Sequence, residues 1–410
     1  MRRGIPAAAM TLGLALALTA CGGTSDDTSG GATADPTSGG SGGSLVVWVD
    51  ETRQAAVEKA AAAFEDENDV DVELVLKNYE DIRADFLAQV PTGEGPDLTV
   101  GAHDWLGELT TNGVVAPIEL GDRTADFEEV AVQAFTQDGQ VYGLPYAIEN
   151  IALIRNTALA AQAPATWDDA VAAGRAAGVT YPVLLQTGTD GDPYTYYPLQ
   201  TSFGAPVFVQ NDDGSYTSEL AMGGEPGHAF ATWLQAQGQA GVLSTDITYD
   251  IAVEAFKNGE SPFIIGGPWM LEQFADLELA IDPIPSAGGQ PAQPFVGVQG
   301  FYVSAQSDNA LLANDFLVNY IATDEAQLAL YEAGSRPPAL RSAAQTASAD
   351  PITAGFAAVG AEAVPMPSIP EMGSVWAFWG VTQANVIGGT GEPVAAWDKM
   401  VADIQSAIGS

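Results

Sequence analysis

The sequence predicts an α/β protein of at least two lobes, and three observations carry that prediction. Its 410 residues exceed the roughly 250–300 at which a single hydrophobic core stops growing. Hydrophobic residues make up 47% of the chain, enough to bury substantial cores and too many for a disordered polymer. Over residues 45–101, short β-rich apolar runs alternate with stretches of helical spacing, the order of a largely parallel sheet covered by helices. Composition then narrows the function. With 53 acidic against 13 basic residues, the net charge of −40 argues against nucleic acid or a phosphate-rich surface as partner. The single cysteine rules out a disulfide framework and a Cys-based zinc site. Two histidines, His103 and His228, leave little material for a metal centre or a catalytic triad, so no metal and no cofactor are expected. The ligand class left open is neutral or cationic.

The chain opens with Arg2 and Arg3, followed by an apolar stretch from Ile5 to Leu18. That stretch is shorter than the roughly 20 residues of a membrane span and suits a secretory signal over residues 1–20. It ends in Leu18-Thr19-Ala20-Cys21, which resembles a bacterial lipobox. The resemblance makes Cys21 the lipidated first residue of the mature protein, anchored on the outer face of the cell membrane. Without Arg2 and Arg3, 11 basic residues face 53 acidic ones, a net charge of −42. Residues 21–44 are nearly all Gly, Ser, Thr, Asp and Ala and read as a flexible tether. A random coil of that length spans about 25–30 Å, enough to hold a globule just off a membrane.

The folded part begins with 45–49, an apolar β-rich run that reads as a buried strand. Residues 53–67 place Ala, Val and Phe at helical spacing, and 70–75 alternates apolar and polar as a half-buried strand does. A helix is expected over 80–89 and a strand over 97–101 that ends in a loop. Ligands of such sheets bind beyond the carboxyl ends of the strands, where Asp50-Glu51 and Ala102-His103-Asp104 fall. Residues 141–156 read as extended, with Glu149 in an apolar run as either an inward-facing site group or a salt-bridge partner. Thr166 is placed to cap a helix. The C-terminal third reads as mainly helical, over 309–321, 323–334, 374–388 and 393–408.

Several stretches together resemble the extracytoplasmic solute-binding proteins of ABC importers, specifically the maltose/maltodextrin-binding family. They are residues 93–97 with 102–104, then 142–149, Asp192-Pro193-Tyr194, Gly267-Pro268-Trp269, 294–298, and 366–372 with Trp376, in the family's order from about residue 45 to 410. The resemblance implies a two-lobe periplasmic-binding-protein-like (type II) fold with a sugar in the interlobe cleft. Matching the motifs gives an N-lobe of 45–147 with 301–346 and a C-lobe of 152–295 with 352–410. It also implies a monomer that hands its ligand to ABC permease subunits and catalyses nothing. The favoured ligands are α-glucosides such as maltose, maltodextrins or trehalose. Two readings from other classes stand beside it: a secreted glycosidase, which needs a carboxylate pair about 5–10 Å apart, and a polyamine-binding protein, suggested by the net charge.

Sugar recognition needs aromatic faces for the C–H faces of pyranose rings and charged or amide groups for the hydroxyls. Carried onto this sequence, the resemblance makes Tyr194, Trp269 and Trp376 aromatic platforms and Asp104, Glu149 and Asp192 hydroxyl-binding acids. Glu51 and Arg53 fall where the family places an Asp-Lys pair, in an alignment ambiguous by one residue. Three positions depart from the maltose-binding pattern. Gly101 stands where it has a Trp, Trp105 where it has an Arg, and Gly380 where a second Arg follows the last tryptophan. Trp105 is expected either to supply a displaced stacking face or to pack into its own lobe. His103 is expected to be a packed hydrogen-bonder.

Overall fold

The computed structural model describes residues 43–211 and 216–409. The expected leader, Cys21 and the tether as far as Gly42 lie outside the described residues. The first strand, β1 (Ser44–Val49), is the centre of a parallel trio with β2 (Asp71–Leu76) and β3 (Leu98–Ala102). Helices α1 (Glu51–Asn68) and α2 (Tyr79–Gln89) make the crossovers. Each expected element of this stretch is present within two residues of its predicted ends. The parallel arrangement stops there. The strand Phe295–Ser304 runs antiparallel to β3, and Gly143–Asn150 and Val115–Ala116 pair antiparallel to it in turn, so the seven-stranded sheet is mixed. A second sheet of three antiparallel strands is formed by Phe263–Gly266, Ala152–Asn156 and Leu279–Asp282.

All ten residues of Phe295–Ser304 are buried, which is what a strand covered on both faces requires. It also ties two of the three hydrophobic cores together. One core draws on residues between 45 and 147 and between 298 and 343. The others draw on residues between 151 and 295 and between 356 and 404. The chain therefore passes from one side to the other near 147–151, 295–298 and 343–356. The first two passages lie side by side, because Gly143–Asn150 and Phe295–Ser304 are hydrogen-bonded neighbours.

Thr166 caps the helix Trp167–Ala177 in a full capping box with Asp169. In the C-terminal third, the helices Asp324–Gly334, Met372–Ile387 and Pro393–Ile408 stand close to their expected bounds. The expected 309–321 helix is the α-helix Ala310–Phe316 followed by a π-helical turn, Leu317–Ile321. Among the described residues no helix is long and apolar enough to cross a membrane.

Candidate binding site

A cavity of about 480 Å³ is lined by residues of both sides and of the strands that join them. Its first wall is built at the carboxyl end of β1. Asp50 is the N-cap of α1, where its Oδ1 accepts from the Thr52 backbone N–H at 2.9 Å. Burial pushes the Asp50 carboxyl up, but the Arg53 guanidinium and the Thr52 donors outweigh it and hold the group below its ordinary value. Because Asp50 takes the cap, Glu51 occupies the next 100° of the helix and is exposed, outside the cavity lining. Of the Asp50-Glu51 pair expected beyond the end of the first strand, Asp50 is thus the one that lines the cavity. Arg53 does line the cavity. It is buried, ion-paired to Asp50, bonded through Nε to the Tyr146 hydroxyl and through an Nη to Gln299 Oε1 at 3.1 Å.

Glu149 reaches the cavity from the strand Gly143–Asn150. Its partners are protein groups: Arg336 Nε donates to Oε2 at 2.7 Å and Gln299 Nε2 to Oε1 at 2.8 Å. Of the two readings for this acid, the ion pair is therefore present, and it faces the cavity as well. Gln299 is the hub of this wall, because its Oε1 also accepts from the Tyr79 hydroxyl at 2.8 Å. A β-bulge aims these groups. Gln299 pairs with Ala147 and Gly300 with Pro145, leaving Tyr146 as the extra residue, turned toward Arg53. Arg336 follows Ser335, a non-glycine residue at φ 53° that ends the helix Asp324–Gly334. Its guanidinium also lies 5.6 Å from the Trp269 ring centroid, within cation–π range. No sequence motif pointed to Arg336, Gln299 or Tyr79. Each is recruited by a contact spanning 150 residues of chain or more.

Asp104 sits in a 3-10 turn just past β3. Burial pushes its carboxyl up, opposed by His103, Arg83 and the Trp376 side chain. His103 is buried and bonded on both ring nitrogens. The Val298 N–H donates to Nδ1 at 3.0 Å, so Nε2 carries the proton that it gives to the Met366 carbonyl at 3.0 Å. Burial holds the His103 pKa down, consistent with a neutral ring. Asp192 caps the helix Pro193–Thr201, accepting from the Thr195 N–H at 3.1 Å and its hydroxyl at 2.8 Å, and from Gln186. Burial pushes Asp192 up, and it pushes Glu80 up too, with Asp192 adding to the effect on Glu80. Glu80 begins α2 while Asp192 belongs to the opposite side, so the two carboxylates feel one another across the cavity.

Six aromatics line the space: Tyr79, Trp105, Tyr194, Tyr249, Trp269 and Trp376. The Trp269 ring folds back over Gly267, where any Cβ would overlap it. Tyr194 lies 6.4 Å from Trp269 and 6.3 Å from Phe295 between ring centroids. Trp376 stacks on Trp379, with centroids 5.5 Å apart. Trp105 lines the cavity and packs into its own side, where it is 8% exposed. Gly101 is the reason. A Cβ there would stand 2.7 Å from the Trp105 ring and 2.9 Å from Tyr302, so the absent side chain is the seat of the indole, whose other neighbour is Tyr79 at 5.4 Å.

Arg53, Asp104, Trp105, Glu149, Asp192, Tyr194, Trp269 and Trp376 are thus brought to one cavity, and Glu51 is not. Among the described residues no cluster of His, Cys, Asp and Glu could hold a metal ion. His228 is bonded to Asp398 at 2.6 Å, away from the cavity lining. Chemically the arrangement offers aromatic faces, carboxylate acceptors and guanidinium donors to a hydroxyl-rich ligand.

A family model described as bacterial extracellular solute-binding protein matches residues 59–355. The chain is 28% identical over 409 residues to a galactooligosaccharide-binding protein of Bacillus subtilis (strain 168), covering 94% of this chain and 93% of that one. It is 30% identical over 383 residues to a maltodextrin-binding protein of the same organism, covering 88% and 87%. The solved structure of Thermus thermophilus maltotriose binding protein bound with maltotriose superposes with a TM-score of 0.80 at 32% identity, over 89% of this chain and 100% of that chain.

Proposed function

The chain belongs to the bacterial extracellular solute-binding protein family, and from that premise we propose that its cavity captures a sugar for delivery to an ABC permease. Its fold is the two-lobe α/β periplasmic-binding-protein fold. The observation that carries the proposal is the cavity lining, in which Trp105, Tyr194, Trp269 and Trp376 stand among five carboxylates and two arginines. Aromatic faces with convergent hydrogen-bonding groups are what a pyranose needs. The relatives that bind maltodextrin and maltotriose favour an α-glucoside, and the galactooligosaccharide-binding relative makes β-galactosides the comparison to run. Arg53 and Arg336 in the lining weigh against a polyamine. Glu149 and Asp50 are each held in an ion pair, which suits a binding role better than acid–base turnover. The residues 45–147 with 301–346 and 152–295 with 352–410 are read as the two lobes that close on the ligand by a hinge at the three passages. Cys21 is read as the anchor that keeps the protein outside the cell and at its membrane.

Titrating intrinsic Trp fluorescence with maltose, maltotriose, trehalose and β-galactooligosaccharides tests the reading. A saturable change with at least one sugar, insensitive to salt and without release of smaller sugars, is expected. Spermidine binding that weakens steeply with salt, or hydrolysis of a bound oligosaccharide, would overturn it.

A further inference from the structure

We propose that closure of the cleft on its sugar takes up a proton between Glu80 and Asp192, so that the protein holds its ligand more tightly as the medium turns acidic. This rests on the sugar-binding reading above and concerns the regulation of that same site. Glu80 is the second residue of α2, on one side of the cavity, and Asp192 caps the helix Pro193–Thr201 on the other. Two helix N-termini thus present one acid each to the same space. A helix N-terminus favours the ionised form, which keeps both carboxylates charged while the walls stand apart. Hinge closure shortens the gap between the walls. Two like charges brought together as water leaves raise each other's proton affinity, and one proton shared by the pair relieves the repulsion.

The cations nearby are engaged elsewhere. Arg53 and Arg336, the two in the cavity lining, are paired with Asp50 and with Glu149. Arg83 opposes the repulsion at Glu80, but it lies 3.8 Å from Glu108 of the helix Leu106–Thr111 and outside the cavity lining. The donors to Asp192 are neutral: the Thr195 N–H, the Thr195 hydroxyl and the Gln186 amide. Other neighbours share the sign of the pair. Asp81 follows Glu80 and adds to its repulsion, and Asp190, in the loop before Asp192, lines an adjoining cavity with both. Tyr194, Tyr249 and Trp376 stand beside them as uncharged rings. Burial already pushes both carboxyls up, with Asp192 adding to the rise at Glu80, although solvent still wets Glu80. Asp50 differs, because its burial is outweighed by the Arg53 guanidinium. Asp104 is also pushed up by burial, but it shares a side with Glu80, so hinge motion leaves their separation unchanged. The cross-cleft pair is therefore the one whose titration closure alters. Since the closed form binds the proton more tightly, sugar affinity rises as pH falls through the range of the pair, and bound sugar raises the proton affinity in return.

Calorimetric titration of the full chain with maltotriose and with a β-galactooligosaccharide, at pH 7.5 and pH 5.0, tests the proposal. Each titration is repeated in buffers of different ionisation enthalpy, which reads the protons taken up on binding. A whole proton would change Kd about tenfold per pH unit, and a fraction of one should still tighten binding roughly threefold or more between pH 7.5 and 5.0. Glu80→Gln keeps the shape of the side chain and removes its charge, so it should flatten the pH profile and abolish the proton uptake. Asp192→Asn, which retains an oxygen to cap its helix, should do the same and provides a second, independent variant. Equal Kd at both pH values in the wild type would overturn the proton-coupled closure while leaving sugar binding intact. Uptake that persists in Glu80→Gln would assign the proton to Asp104 and overturn the pair. Binding of neither sugar at either pH would overturn the sugar reading and the proposal with it.

Discussion

Replacing Arg336 by methionine removes the charge opposite Glu149 and leaves the volume of the side chain nearly unchanged. Both side chains are about one-tenth exposed, at 10% and 8%, so solvent screens the pair weakly. Removing one partner of a buried ion pair costs about 3–5 kcal/mol, because the other charge is left uncompensated. Glu149 keeps its bond from Gln299 at 2.8 Å, which places the expected loss toward the lower end. Globular proteins unfold with about 2.1 cal/mol/K per residue, so over residues 43–211 and 216–409 a loss of about 3–5 kcal/mol corresponds to a fall in Tm of roughly 4–6 °C. Differential scanning calorimetry on wild type, Arg336→Met, Glu149→Gln and the double variant reads the effect. The cycle should show a coupling of about 2–3 kcal/mol, since Glu149→Gln removes the charge that Arg336→Met strands. A fall of less than about 1 °C, or strictly additive single variants, would mean that Gln299 alone satisfies Glu149 and that the ion pair does not hold this wall.

Three further outcomes are expected. Trp105→Ala should cost about 3–5 kcal/mol of stability, the range for deleting a buried indole, and Gly101→Ala about 1–3 kcal/mol by overpacking against the same ring; thermal melts equal to wild type would show that the indole is not seated on Gly101. Asp104 has a folded pKa raised by burial, so the folded state binds the proton more tightly and stability rises as pH falls through that pKa toward the ordinary 3.8. Asp104→Asn removes this relief, so between pH 7 and 4 the variant should lose more Tm on acidification than wild type; parallel Tm–pH curves would refute the shift. Cys21→Ala should move the protein from the membrane fraction to the soluble fraction, and unchanged retention would refute the lipid anchor.

Local physics made the first half of the N-terminal sheet legible. The period-2 run at 70–75, the helical spacing of 53–67 and the cap at Thr166 each depend on neighbours within a few residues, and each element stands where that spacing put it. The order of the motifs likewise indicated which aromatics and acids to look for around one cavity. Other features were decided only when distant segments met. Asp50 displaced Glu51 because a helix cap fixes which side chain turns inward, a matter of one residue and 100°. Arg336 and Gln299 carry no local signal, because a Glu149 partner 187 or 150 residues away is chosen by sheet register and a bulge. The two glycines that depart from the family pattern, Gly101 and Gly380, looked like losses in the sequence. In three dimensions each is occupied, one by the Trp105 ring and the other by the loop at Asp190. A missing side chain leaves no mark of what will fill its place, and that is settled by packing between segments that only the folded chain brings together.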